Sequence, residues 1–186
     1  QRNSVMLERF KVPEKDRVYV LQDRVRAATE GILRHNRLAP DEAATSADVL
    51  IKNDLRGVES HGVSNGLRRY VAEYGSNKLN PTPEFKVTRE SKTTMTIDAD
   101  RALGIHVGPW AMQHAIDKAK EFGMGAVAVT NSGHLAGCGY YAMMAAEQGM
   151  IGHCMTAGGS HQTVPTFGSK PVMGTNPIAW AAPARD

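Results

Sequence analysis

The chain has 186 residues, enough for one domain or two small ones, and the ordinary composition of a globular protein, 41% hydrophobic and 22% charged. Its net charge of +3 is spread over well-mixed acids and bases. That argues against a nucleic-acid partner, which favours a concentrated basic face. No apolar run reaches the length of a membrane span, and residues 1–10 lack the apolar core of a signal peptide, so a cytoplasmic chain with no membrane partner is expected. Cys138 and Cys154 form no CxxC pair and no His/Cys ligand set; they read as two free thiols in a reducing compartment, and no metal site is expected.

From the N-terminus, Pro13 opens a helical pattern in which Val18, Leu21, Val25, Ala28 and Ile32 recur at three- and four-residue steps, ending at residues 35–37. Pro40-Asp41-Glu42 starts a second helix, with Ala47, Leu50 and Ile51 on its buried face and an end near Arg56-Gly57. A third helix follows, striped by Val63, Leu67, Tyr70, Val71 and Tyr74, then a turn-rich connection carrying Asn80-Pro81 and Pro83. The period then changes. Residues 85–89 and 94–98 alternate apolar and polar, which predicts two half-buried strands. A further helix is expected with Pro109 in its first turn and Met112, Ala115, Ile116 and Ala119 as its stripe; His106 lies just before it, and His114 within it reads as structural. Residues 124–130 and 150–156 read as buried strands flanking a helix at 140–148, so a strand-helix-strand crossover is expected there. The helical region is thus expected at 1–80 and a mixed αβ region at 81–186.

Three polar segments carry the chemistry. Residues 54–65, DLRGVESHGVSN, join two helices and hold Ser60 and His61; residues 131–137, NSGHLAG, hold His134; residues 174–177 are GTNP. Histidines at element ends are suited to proton transfer near neutral pH. Ser60 has two readings, a hydrogen bond to the His61 ring or a cap on the following helix. The loose dinucleotide fingerprint formed by Gly137, Gly139 and Ala142 is weak: several polar residues separate it from the preceding strand, and no acid follows about twenty residues on. A serine hydrolase lacks support, since no G-x-S-x-G elbow is present.

Taken together and in order, residues 55–64 (LRGVESHGVS), Asn80-Pro81, residues 131–134 (NSGH) and residues 174–179 (GTNPIA) resemble the type 2 malate/L-lactate dehydrogenase family, which also includes ureidoglycolate dehydrogenase and diketogulonate reductase. The resemblance runs from about Val18 to Pro183. It implies an α/β chain in which an N-terminal helical bundle packs with a mixed αβ domain of that family's own fold, not a Rossmann domain. It also implies a dehydrogenase or reductase using NAD or NADP, with a small 2-oxo or 2-hydroxy acid as substrate and a homodimer as the assembly. By the same resemblance His61, assisted by Ser60, lies in the reacting centre. His134 is either the proton acceptor or a cofactor contact; His134, Leu135, Ala136, Gly137, Cys138 and Gly158 line the cofactor; Thr175 and Asn176 face the substrate.

Two departures from the family pattern stand out. Asn65 occupies a position where many relatives carry an arginine suited to binding a carboxylate, so Arg68 or Arg69 is left to supply that charge. The family pattern also continues well beyond Asp186, so the chain reads as the first part of such an enzyme, the remainder being a further segment, a separate chain or absent. The alternative is a non-catalytic fragment or assembly module of the same fold.

Overall fold

The computed structural model describes residues 13–158 and 162–184. The N-terminal stretch tested for a signal peptide lies outside the described residues. Pro13 precedes a single 3-10 turn, Glu14–Asp16, and helix α1 starts only at Gln22, running Gln22–His35. The expected stripe is a correction. Val18 and Leu21 are 83% and 69% exposed, Ala28 and Ile32 are also exposed, and the buried positions of α1 are Thr29 and Leu33. Apolar spacing alone gives a helix a greasy side. Which side finds a partner depends on the neighbour, here helix α2 (Pro40–Leu55).

Helix α2 is the hub. Pro40 occupies its first turn, and the Glu42 carboxylate accepts the Ala39 N–H at 3.0 Å, meeting one of the donors a helix start leaves open. Ala43, Ala47, Val49 and Leu50 are fully buried between α1, α3 (Val63–Gly75) and α4 (Gly104–Phe122). At its end Gly57 adopts a left-handed conformation (φ 74). The core continues through Leu67, Tyr70 and Tyr74 of α3 into Leu103, Ile105 and Tyr141.

Strand β1 (Lys86–Glu90) pairs antiparallel with β2 (Thr94–Ala102), and β2 pairs parallel with β3 (Ala126–Ser132). The parallel crossover is therefore β2-α4-β3, one unit earlier than the sequence pattern predicts. After α5 (Gly139–Ala146) the chain enters a second sheet, in which β4 (Gly152–Met155) pairs antiparallel with β5 (Ile178–Ala181). Neither apolar strand is buried on both faces. Val127 and Val129 pack on the Ile97 cluster, while Ala126, Ala128 and Thr130 are exposed; β4 likewise ends exposed at Met155.

Pro109 is not in the first turn of α4; that helix begins five residues earlier, at Gly104. The reason is packing. A Cβ on Gly104 would lie 2.6 Å from the His134 carbonyl oxygen, so only glycine lets the start of α4 seat against the turn that carries this histidine.

Candidate functional site

His61 closes a 3-10 turn, Glu59–His61, between α2 and α3. Three bonds fix that turn from the helical side. The buried Asn53 side chain donates to the His61 carbonyl at 3.2 Å, Asp54 accepts the Val63 N–H at 2.9 Å, and Asn65 donates to the Glu59 carbonyl at 3.1 Å. The cap on α3 is thus Asp54 of the preceding helix, not Ser60. A Cβ at Gly62 would collide with the same Asp54 carboxylate, so the turn depends on glycine there. Ser60 is free of capping, and its Oγ lies 2.8 Å from His61 Nδ1. The negative charge of Glu59 and burial both raise the Asp54 carboxyl, with burial the larger cause.

His134 sits on the turn after β3, far along the chain, yet its ring stacks on that of His61 with 5.6 Å between centroids and 18° between planes. Tyr70 of α3 holds it: the phenol oxygen is 2.8 Å from His134 Nδ1, and the Ala136 N–H points at the same nitrogen at 3.3 Å. Burial, then the positive charge of Arg69 and the neighbouring His61, lower His134 to about 4, so the ring is neutral near pH 7. Burial pushes Tyr70 up to about 12, so its hydroxyl keeps its proton. Tyr70 reads from sequence only as a core residue of the α3 stripe. The one available signal is that a buried tyrosine hydroxyl usually finds a partner.

A groove of about 2060 Å³ runs from this pair along α4 and β3 to β4 and the loop before β5. Ser60, His61, Asn65, His134, Leu135, Ala136, Gly158, Thr175 and Asn176 all line it. Gly137 and Cys138 do not. Gly137 packs on the Asn53 side chain, and Cys138 is buried against Cys154. Their mutual hydrogen bond lowers Cys138 to about 7 and raises Cys154. Gly158 donates its N–H to the Thr175 carbonyl at 2.8 Å, which ties two lining segments together. Among the described residues no hydrogen bond joins Thr175 or Asn176 to either histidine. Arg69 faces the groove, with its guanidinium carbon 5.1 Å from the Tyr70 ring centre and no carboxylate within ion-pair distance among the described residues; the nearby Glu73 is taken by Lys78 at 2.8 Å. Arg68 does not line the groove.

His106 is buried inside α4, beside Phe85, and 3.3 Å from Glu42; it is part of the packing and not of the groove. His114 is likewise structural, bonded to the Trp110 carbonyl at 2.9 Å and stacked on that ring. Among the described residues no group of three or more His, Cys, Asp or Glu side chains could hold a metal ion, and no helix is long and apolar enough to cross a membrane.

A profile of the malate/L-lactate dehydrogenase family matches residues 20–186. The chain is 43% identical over 173 residues to a malate dehydrogenase of Pyrococcus horikoshii, covering 93% of this chain and 48% of that protein. It superposes on the structure of malate dehydrogenase from that organism with a TM-score of 0.90, covering 95% of this chain and 50% of the other. An L-sulfolactate dehydrogenase of Methanocaldococcus jannaschii is 38% identical over 81% of this chain and 43% of its own length. A ureidoglycolate dehydrogenase (NAD(+)) of Escherichia coli O157:H7 is 34% identical over 78% of this chain and 41% of its own. The chain spans about half the length of the relatives it matches.

Proposed function

This chain belongs to the malate/L-lactate dehydrogenase family, and from that premise we propose that it carries the proton-handling centre of an oxidoreductase interconverting a 2-oxo acid and its 2-hydroxy acid. The observation that carries this reading is the stacked His61–His134 pair, with Ser60 on one ring, Tyr70 on the other and a cation, Arg69, facing the same groove. Such chemistry needs a group that gives or takes the proton of the substrate oxygen, and a fixed positive charge for the carboxylate.

His61 is assigned the proton transfer. Ser60 holds its Nδ1, which leaves Nε2 for the substrate oxygen. His134 orients that oxygen from the other side. Arg69 takes the substrate carboxylate, since Asn65 has no charge and donates to Glu59 instead. Thr175 and Asn176 contribute polar groups further along the groove.

The cofactor is a nicotinamide dinucleotide, NAD or NADP; a relative whose name carries NAD(+) supports the first. When bound, the nicotinamide supplies or accepts the hydride. The residues present fit such a group. Leu135 and Ala136 give an apolar wall beside His134, Gly158 leaves the far wall without a side chain, and His153, also in the lining, keeps a buried Nε2 with no partner among the described residues. Gly137 and Cys138 serve this wall from behind.

The test is a mixed assay of NADH or NADPH with a panel of 2-oxo acids and cyclic imines, following loss of the reduced nicotinamide's absorbance. Substrate-dependent oxidation is expected. If none occurs with any pair, even after the segment that relatives carry downstream is supplied, a non-catalytic module becomes the better account.

A further inference from the structure

We propose that Tyr70 is a positioning residue that fixes which nitrogen of His134 carries the proton, holding the ring as the Nε2–H tautomer so that it offers a hydrogen-bond donor, not an acceptor, to the groove. The catalytic consequence rests on the oxidoreductase reading above; the tautomer itself does not.

The argument starts from a donor that has no choice. A backbone N–H can only donate, and that of Ala136 points at His134 Nδ1 from 3.3 Å. Nδ1 is therefore an acceptor. A neutral imidazole with an accepting Nδ1 carries its proton on Nε2. The stronger contact at the same nitrogen, the Tyr70 hydroxyl at 2.8 Å, must then donate as well. Tyr70 is suited to that role. It is fully buried, so its ring is held by packing, and the guanidinium of Arg69 lies over the ring, 5.1 Å from its centre. Tyr70 thus donates to His134. The charged and titratable groups facing His134 are Arg69 and Glu73 from α3 and His61 from the turn before it. Burial, most strongly, and the Arg69 guanidinium disfavour an imidazolium, which keeps the ring in the neutral form whose tautomer matters.

The consequence is a division of labour. With Nδ1 occupied, His134 cannot accept a proton from a substrate hydroxyl through Nε2 without changing tautomer and breaking two contacts. It polarises and orients the substrate oxygen, and His61 handles the net proton.

The experiment is two-bond ¹H–¹⁵N correlation NMR on protein with labelled imidazoles, wild type and Tyr70→Phe, at pH 7, with turnover measured in parallel. The wild type is expected to show His134 as the Nε2–H tautomer. Tyr70→Phe keeps the buried ring, removes only the hydroxyl, and is expected to move the His134 nitrogens toward a tautomer mixture. It should also lower kcat ~10-fold, the size of one hydrogen bond, with KM nearly unchanged. A wild-type ring protonated on Nδ1 overturns the proposal even if the variant fails to fold, and so does a folded variant with an unmoved tautomer. A wild type with the expected tautomer but no turnover on any substrate counts against the oxidoreductase reading alone.

Discussion

Helix α2 and strand β3 both have a claim to burial in the sequence, but they end in different surroundings. Helix α2 packs against the four other α-helices, and five of its residues, Ala43, Ser46, Ala47, Val49 and Leu50, are wholly inaccessible. Strand β3 is covered on the valine face only. Each element leads directly into one histidine of the site, α2 into His61 and β3 into His134. The more exposed element nonetheless holds the more constrained ring. That constraint is borrowed: Tyr70 reaches across from the helical side, and Gly104 lets α4 seat against the His134 turn. Order at the site comes from contacts between the two regions and not from the burial of the strand that carries the residue.

The sharpest way to break this comparison is at the histidines. His61→Ala is expected to lower turnover by ~10²–10⁴-fold, the range of a lost general acid-base group, whereas a loss under about threefold would remove His61 from that role. Packing comes next. Leu50→Ala in α2 should cost ~2–5 kcal/mol of stability and Val127→Ala in β3 about 1 kcal/mol or less, as read by denaturant unfolding. Equal losses would mean that the two elements are covered alike. Arg69→Ala should raise KM for a 2-oxo acid by ~10–100-fold and leave an uncharged amide analogue unaffected. An equal rise for both would show that Arg69 supports the groove without reading the carboxylate.

A smaller effect is expected from pH. His134 is held at about 4 in the folded state against an ordinary value near 6.5, so between these values the unfolded chain binds more protons. Its contribution to stability is therefore present above about pH 6.5 and is lost as pH falls toward 4. His106, also lowered by burial, acts in the same direction. The wild type should thus lose Tm across this window more steeply than His134→Asn, and parallel curves would contradict the lowered His134 in the folded chain. The smallest expected change is for Asn65→Arg, a shift of up to ~5-fold in preference toward simple 2-oxo acids. An unaltered ranking of substrates would take position 65 out of the substrate site.

Much of the helical side was legible. Pro40 and Gly57 mark the ends of α2 because caps are local, and the stripe of α3 finds its burial at Leu67, Tyr70 and Tyr74. What failed depends on distant partners. The residues from Val18 to Ile32 have helical spacing, but spacing does not say which side meets α2. The two apolar strands promised one crossover, but β3 and β4 belong to different sheets, and pairing is not written in either strand alone. Ser60, His61 and His134 were found as motifs, whereas Tyr70 was hidden among core residues because its hydroxyl leaves no mark on an apolar stripe. Asp54 escaped because a carboxylate nine residues before the Val63 N–H it accepts is not a local capping signal.

The two rims of the first sheet are not alike in their chemistry. Strand β1 bears Lys86, Arg89 and Glu90, while β3, the other rim among the described residues, carries no charged side chain at all. Charge on a rim discourages another extended segment from zipping onto its free amides and carbonyls, so β1 is guarded and β3 is not. An extended segment that paired with β3 would therefore meet no charged side chain on that strand.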